Sequence, residues 1–270
     1  MRINQFLQPK KTLLEDQRIA ANIVTDVLLE LSSLSKPDLS LDMLDELAER
    51  RIRERGGVPY NKGYKPDWAL KPFPATVCMS VDYEICHGIP RGRILKDGSI
   101  IKYDVGVQYK SGCGDAALTV AVGNIDNRKQ RAMRYGLQAL YEGIKMVKAG
   151  QKISAIGEAI SGFAGLRGYA VIKEYGGHHI GRKMHMKPYI PHFVDYKNPS
   201  QEILEEGKII CIEPMITPGS GRMAISTADK WTAFCVDRQP CVMFEEMILI
   251  TEDSYEILTD HLGNKGKILE

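Results

Sequence analysis

Residues 100–122, IIKYDVGVQYKSGCGDAALTVAV, contain the pattern that decides the fold. The segments on either side of residues 110–114 are rich in β-branched and aromatic side chains, which is typical of strands. Residues 110–114 are small or polar, so they predict a turn. Asp104 and Asp115 interrupt the two apolar runs, and an antiparallel hairpin should bring them together as direct or diagonal neighbours.

Four helices are predicted around this hairpin. Apolar residues in steps of four predict the first helix over residues 17–34. The second helix should begin after Ser40 as its N-cap and end before Gly56. Beyond the hairpin the helical period returns over residues 133–147, and Ser154 is expected to cap the fourth helix.

The predicted strands are short apolar runs, and they cover residues 76–81, 100–109, 115–122, 170–174, 208–212 and 241–251. The same order of elements occurs twice, in halves of about residues 17–122 and 128–251: a long helix, a break, a serine-capped helix and strands. We therefore predict an α+β fold in which two related halves surround a sheet within a single domain, residues 1–270.

The bulk composition argues against several classes of partner. The formal net charge is +2, from 36 basic and 34 acidic side chains, so there is no electrostatic case for nucleic acid or a membrane surface. No apolar stretch approaches the roughly 20 residues that span a bilayer. Six cysteines without CxxC spacing predict reduced thiols, and these features together predict a cytoplasmic protein.

Five potential metal ligands stand in apolar or glycine-rich surroundings, and they are Asp104, Asp115, His178, Glu213 and Glu245. Each alone has an ordinary explanation as a turn residue, a strand end or a core histidine. Four buried carboxylates and one imidazole together would carry too much negative charge for a dry site. Two divalent cations would neutralise that charge, and carboxylates that bridge them would hold them about 3.5–4 Å apart.

The order Asp, Asp, His, Glu, Glu in these contexts resembles the type I methionine aminopeptidases of the pita-bread family. The matching segments are VCMSVDYEICHGIP (77–90), LKDGSIIKYDVGV (95–107), GDAALTVAVG (114–123), EYGGHHIGRKMH (174–185), CIEPMI (211–216) and FEE (244–246). The resemblance covers about residues 17–259. It implies a pita-bread fold with two pseudo-symmetric halves and a curved antiparallel sheet covered by helices.

The resemblance also implies a bacterial-type enzyme. Its activity would be N-terminal methionine excision: hydrolysis of the initiator methionine from nascent proteins and peptides with a small second residue. The interval between Glu213 and Glu245 leaves no room for the helical insertion of type II members. As a hydrolase of the metalloprotease class, the enzyme would hold two divalent ions, with Co, Mn, Fe and Zn all open.

Carried over residue by residue, the family implies a role for each ligand. Asp115 and Glu245 would bridge both metals. His178 and Glu213 would complete one site, while Asp104 would chelate the other. Glu213 would also relay the proton of the attacking water.

The resemblance further implies residues that contact the substrate. His87 would hydrogen-bond the scissile amide, and His185 would stabilise the tetrahedral intermediate. The methionine pocket would include apolar or soft side chains together with one histidine: Phe73, Cys78, His87, Met184 and Trp231. Partners would be the N-terminus of a peptide or nascent protein and, on the same analogy, the ribosome. The family also suggests a monomer.

Several positions depart from the family pattern: Asp82, Ala116, Ala117, His179, Met186 and Glu246. Asp82 replaces a common asparagine beside what is a monovalent-cation site in some members. His179 replaces the glycine that usually follows the metal histidine. We expect His179 to point away from the metals and to line the cleft wall, because five ligands already complete the site.

Two other functions stay open. A proline-specific pita-bread peptidase would share the ligands, although such enzymes usually carry an additional N-terminal domain. A relative that lost its metals would serve as a non-catalytic binding module, but all five ligand types are present.

Overall fold

The structure is a computed structural model that describes residues 8–195 and 200–260, with side chains from residue 13 onward. The helices of these residues are α1 (Gln8–Leu34), α2 (Leu41–Glu54), α3 (Asn127–Ile144) and α4 (Ser154–Gly165). The strands are β1 (Val58–Pro59), β2 (Cys78–Val81), β3 (Ile100–Tyr109), β4 (Gly112–Ala121), β5 (Ala170–Val171), β6 (Gly177–His179), β7 (Met186–Ile190), β8 (Ile209–Ile212), β9 (Met215–Thr217), β10 (Met223–Ile225), β11 (Ala233–Cys235), β12 (Val242–Met243), β13 (Glu246–Ile250) and β14 (Tyr255–Ile257).

The predicted helices are present, but several of their ends differ. α1 begins at Gln8, before the predicted start, and α3 ends at Ile144 in a tight turn instead of continuing to Val147. Ser40 does occupy the N-cap position of α2, although its side chain forms no capping hydrogen bond. The predicted cap at Ser154 is wrong, because the backbone is already helical at Ile153 and Ser154 is the first residue of α4.

The β3–β4 hairpin forms as predicted, with a shorter turn. Its ladder runs from Ile100 opposite Ala121 to Tyr109 opposite Gly112, so only two residues form the turn. Gly112 lies within the strand because α1 packs directly on it: a Cβ there would meet the backbone N of Gln17 at 2.7 Å. This glycine permits a close approach of helix and strand, which sequence composition alone cannot distinguish from a turn.

Among the described residues all strand pairs are antiparallel, and the predicted sheet is divided into four smaller ones. The two largest are β1-β3-β2 with β4 paired to β3, and β14-β13-β8-β6-β7. The predicted strand 241–251 is interrupted at Phe244 and Glu245, between β12 and β13. At this break an isolated bridge from Ala117 to Glu245 connects β4 to the second half.

One buried apolar cluster joins both halves of the chain. It contains Leu28 of α1, Leu118 of β4, Ile210 of β8 and Ile248 of β13. α1 lies against β3 and β4, while α3 packs against α4. The α+β class is therefore confirmed. Within the described residues, no helix combines the length and the apolar character needed to cross a bilayer.

Candidate active site

The hairpin supplies two of the five predicted ligands. Asp104 is opposite Ala117 in the ladder, and Asp115 is opposite Gly106. The two aspartates are thus diagonal neighbours on one face, as predicted, and they line the same cleft.

The second half supplies the other three ligands. His178 lies on β6, Glu213 directly follows β8, and Glu245 lies between β12 and β13. The Nε2 atom of His178 is 3.7 Å from Oδ2 of Asp115 and 3.8 Å from Oε1 of Glu213. The structure therefore brings all five predicted residues to the wall of one cleft.

The His178 ring is held in the tautomer that a metal ligand needs. Its Nδ1 lies 3.2 Å from the carbonyl oxygen of His179, and a carbonyl can only accept, so Nδ1 carries the proton. Burial, with a smaller contribution from His185, lowers the pKa of His178 to about 3. The ring is therefore neutral, and the Nε2 lone pair faces the carboxylates.

The pKa values of the four carboxylates are strongly raised. Burial raises the pKa of Asp104 to about 7. Burial, and then repulsion from neighbouring carboxylates, raises the pKa of Asp115, Glu213 and Glu245 well above the usual range. Such a group of acids repels further negative charge and favours cations.

A buried oxygen without a partner tests whether a metal fits here. Oε1 of Glu245 forms no hydrogen bond within the described part of the chain. Ligand atoms of Asp115, His178, Cys211 and Glu245 lie within 4.8 Å of one another. The donor set of carboxylates and a neutral imidazole suits divalent transition metals. The residues present therefore fit a metal centre.

The cleft has a volume of about 680 Å³, and it contains most of the predicted methionine pocket. Phe73, Cys78 and Trp231 are buried in one small apolar cluster. The Phe73 and Trp231 rings meet edge to face, with centroids 5.2 Å apart. Met184 lies outside the cleft lining and packs instead in a separate apolar cluster with Ile180 and other residues.

His87 lies beside this pocket in an unusual backbone conformation, with φ of 56°. Its ring meets the Tyr175 ring edge-on, with centroids 5.3 Å apart. Its buried Nδ1 has no hydrogen-bond partner among the residues described. Burial lowers the pKa of His87 to about 4, with a smaller contribution from His185, so the ring is neutral. A neutral ring with one free nitrogen can hydrogen-bond a peptide group.

His185 also lines the cleft and lies close to His178. The centroids of the His185 and His178 rings are 4.6 Å apart. The hydroxyl of Tyr64 lies 3.2 Å from Nδ1 of His185, which fixes the orientation of the ring. Tyr64 was not among the predicted site residues.

Sequence analysis also missed Cys211, His192 and Trp68. Sγ of Cys211 lies within 4.8 Å of ligand atoms of Asp115, His178 and Glu245. Nε2 of buried His192 accepts hydrogen bonds from the backbone N–H of Gly177 at 3.1 Å and of Glu213 at 3.2 Å, which ties two ligand segments together. Trp68 is 56% exposed at the cleft mouth, with its ring centroid 5.0 Å from that of Trp231. Only Trp68 gave a signal, because it lies in an aromatic, proline-rich loop.

Strand geometry explains how a histidine fits at position 179, where the family usually has glycine. Successive residues of β6 point to opposite faces, so His179 points away from His178 and the carboxylates, as expected. The expectation that it lines the cleft wall is wrong. Its ring lies in a small separate pocket with Leu204 and Lys208, and its Nδ1 is 3.1 Å from the carbonyl oxygen of Lys187.

The other departures near the predicted metal ligands are buried or partly buried in the fold. Ala116 and Ala117 are fully buried, and the Ala117 carbonyl accepts from the Glu245 backbone N–H at 2.9 Å. Glu246 is fully buried and accepts a hydrogen bond from the hydroxyl of Thr259. Met186 begins β7 and is partly buried.

Comparison with known proteins gives the same family as the motifs. Methionine aminopeptidase 1 of Bacillus subtilis (strain 168) is 38% identical over 243 residues, which is 90% of this chain and 94% of the relative. The methionine aminopeptidase of Aquifex aeolicus (strain VF5) is 33% identical over 248 residues, 92% of this chain and 96% of the relative.

Solved structures agree with these relatives. A crystal structure of methionine aminopeptidase from Thermotoga maritima has a TM-score of 0.86 at 32% identity and covers 96% of this chain and 99% of its own. A prolidase from Pyrococcus furiosus, at 18% identity and a TM-score of 0.72, shares the fold. The predicted pita-bread fold is thereby confirmed. The model of metallopeptidase family M24 matches residues 15–252, and the chain therefore belongs to that family.

Proposed function

We propose that this chain is a two-metal aminopeptidase that removes the N-terminal methionine from nascent proteins and from peptides with a small second residue. The proposal rests on Oε1 of Glu245, which is buried beside other potential ligand atoms and has no hydrogen-bond partner among the residues that the structure describes. An ionised carboxylate in that position is costly, and a divalent cation offsets the cost. The relatives named methionine aminopeptidase support the same activity.

The proposed ligands divide between two ions. Asp115 and Glu245 would hold both ions, and ligand atoms of these two residues lie within 4.8 Å of each other. His178 and Glu213 would complete one site, with Nε2 of His178 3.8 Å from Oε1 of Glu213, and Asp104 would hold the other ion. The donor set accepts Mn, Fe, Co or Zn, and metal supply decides among them.

The two ions, when bound, supply a water that is nucleophilic at neutral pH and stabilise charge on the scissile carbonyl. Glu213 would take up the proton of the attacking water at its carboxylate and deliver it to the leaving amine nitrogen as the C–N bond breaks. His87, neutral and with a free nitrogen, hydrogen-bonds the scissile amide. His185, oriented by the Tyr64 hydroxyl, stabilises the developing oxyanion.

Selectivity for methionine rests on the pocket beside the metal centre. Phe73, Cys78 and Trp231 are all buried there. A thioether side chain makes favourable contacts with aromatic rings and fills irregular apolar space. A small second residue is the family expectation that accompanies this pocket.

Further features of the proposal concern the context of the enzyme. All six cysteines are free thiols and buried, which suits a reducing compartment, and we place the protein in the cytoplasm. We also propose a single catalytic domain with halves at residues 17–122 and 128–251. The apolar cluster that contains side chains of both halves supports this proposal. The monomeric state and contact with the ribosome are predictions from the resemblance.

Metal analysis and a product assay test the function. The purified protein should contain divalent metal and release methionine from Met-Ala-Ser. Asp104→Ala and Glu245→Ala should abolish release while the circular dichroism spectrum is unchanged, and Glu205→Ala, at an exposed carboxylate, is the control. Near-normal release by either ligand variant would overturn the assignment. Cleavage of Xaa-Pro substrates alone would favour the proline-specific alternative, and absence of both metal and turnover would favour the binding module.

A further inference from the structure

Lys102 is a fully buried lysine on β3, two residues before Asp104. Its residue surface is 1% exposed, and its ammonium donates to two main-chain carbonyls, Asp82 O at 2.9 Å and Cys241 O at 2.8 Å. Lysine is almost never buried so completely unless its charge is compensated. In the described part of the chain Lys102 forms no ion pair, so carbonyl oxygens alone receive the ammonium.

These two carbonyls belong to different halves of the chain. Asp82 follows β2 in the first half, whereas Cys241 precedes β12 in the second. The ammonium therefore joins the halves close to the break that contains Glu245. A buried cation at a seam between two substructures fixes their relative position, because moving either carbonyl away leaves the charge unsolvated.

Two further contacts join the same two halves, and they occur at every second residue of the segment 241–245. The backbone N–H of Glu245 donates to the Ala117 carbonyl at 2.9 Å. At Met243, two residues before Glu245, the backbone N–H donates to the Thr119 hydroxyl at 3.0 Å. The same hydroxyl donates to the Met243 carbonyl at 2.6 Å. Lys102 is opposite Thr119 in the β3–β4 ladder, and it provides the next contact in the series. The segment 241–245 is thus attached at every second residue.

The main-chain carbonyl oxygen of Asp82 is already fully used. Its carbonyl accepts from Lys102 and also from the backbone N–H of Cys241 at 3.0 Å, which occupies both lone pairs. Oδ1 of its carboxylate accepts from the backbone N–H of Ile100 at 3.1 Å and from the Lys129 ammonium at 2.6 Å. A free monovalent cation would find no unused lone pair on the Asp82 carbonyl, and it would be repelled by the neighbouring Lys102 ammonium.

We propose that the Lys102 ammonium is a built-in cation that takes the place of a free monovalent ion beside Asp82. The monovalent site that the resemblance implies for some members does not fit the residues of this chain. Lys102 is a positioning residue: it contacts no substrate, but it holds the segment that carries Glu245. The positioning role rests on the proposed metal centre. The replacement of a monovalent ion by Lys102 does not, because it concerns only the stability of the protein in sodium or potassium.

The first experiment uses the unmodified holoenzyme. Its melting midpoint is measured in sodium, potassium and choline chloride at equal ionic strength and with saturating Mn²⁺. The proposal expects the same midpoint in all three salts. A saturable rise in sodium or potassium that choline does not reproduce would overturn it, and this outcome is decisive whether or not the protein cleaves Met-Ala-Ser.

The second experiment uses variants of Lys102. Lys102→Met keeps the length of the side chain without its charge, and its midpoint should fall by about 5–10 °C. Lys102→Ala leaves space at the carbonyls, so part of its loss should be recovered in sodium or potassium but not in choline. Lys129→Met is the matched control, because it removes the other, partly exposed ammonium on Asp82. It should show no cation-specific recovery.

A metal titration tests the positioning role separately. Lys102→Met should bind Mn²⁺ about 10-fold more weakly, as is typical when a group that orients a metal ligand is lost, with little change in KM for the peptide. A wild-type midpoint and wild-type Mn²⁺ affinity in Lys102→Met would refute the proposal. A lowered melting midpoint with normal Mn²⁺ affinity would show that Lys102 only stabilises the fold. It would overturn the proposal that Lys102 positions Glu245.

Discussion

Without divalent metal, this protein should lose stability as the pH rises from 5 to 7. Burial raises the pKa of Asp104 from 3.8 to about 7. Between these values the folded protein holds a proton that the unfolded chain has already released. Stability from such a group is complete below the unfolded pKa and is lost as the pH rises through the folded pKa.

The two pKa values set the size of the effect. Proton linkage for Asp104 alone gives a loss of up to about 2 kcal/mol in the free energy of unfolding between pH 5 and pH 7. For a chain of this size, that corresponds to a fall of about 4–8 °C in the melting midpoint. The raised pKa values of Asp115, Glu213 and Glu245 act in the same direction, so the measured slope should be at least as steep.

Thermal melts of chelator-treated protein at pH 5, 6 and 7 provide the assay. Asp104→Asn is the matched variant, because it keeps the shape of the side chain and cannot titrate, so its midpoint should depend less on pH. With saturating Mn²⁺ the wild-type slope should reverse, since the ligands must be ionised to bind metal. A flat or rising midpoint in the metal-free wild type, or equal slopes in the two proteins, would refute the reasoning.

Three further substitutions probe individual side chains of the cleft and its surroundings. His87→Ala should lower kcat by about 100-fold with normal metal content, because the ring contacts substrate and not metal; loss of one metal equivalent would contradict this role. Trp68→Ala should raise KM for methionyl peptides by about 10-fold, since the ring forms the edge of the pocket against Trp231, and unchanged KM would exclude that contact. His179→Gly should leave metal stoichiometry and peptide preference unchanged, because its ring lies outside the cleft; altered preference in a peptide panel would show otherwise.

The hairpin at residues 100–122 could be predicted because its signals are local and strong. Ten residues in each strand carry enough apolar and β-branched side chains to define the ladder that places Asp104 near Asp115. Helix centres were predictable for the same reason. Helix ends were less so: the end of α3 and the start of α4 depend on tight turns and flanking backbone geometry that periodicity does not reveal.

Most of the second half was harder to predict, because its strands are short. β6 and β9 have three residues each and β12 has two, so none contains a measurable alternation. Their positions follow from pairing with distant strands, such as β6 with β8. The division of residues 241–251 at Glu245 likewise depends on the bridge to Ala117.

The proposed ligands were visible in the sequence because a carboxylate within an apolar strand requires an explanation. The residues that support them were not visible, because their importance comes from contacts far apart in the chain. His192 accepts from Gly177 and Glu213, which are 15 and 21 positions away. Nothing in the sequence around His192 indicates that one ring nitrogen serves two backbone segments.

The burial of Lys102, unlike the role of His192, could have been predicted from the sequence. In a strand, residues two apart share a face, so a prediction that Asp104 faces the interior also places Lys102 on that face. A lysine there should be solvated by oxygens of the protein, since burial of an unsolvated charge is too costly. The sequence of the hairpin therefore contains, beside the acids that attract metal, a cation that the fold must surround with carbonyls. The partner carbonyls could not be named from sequence, because Cys241 lies 139 positions from Lys102.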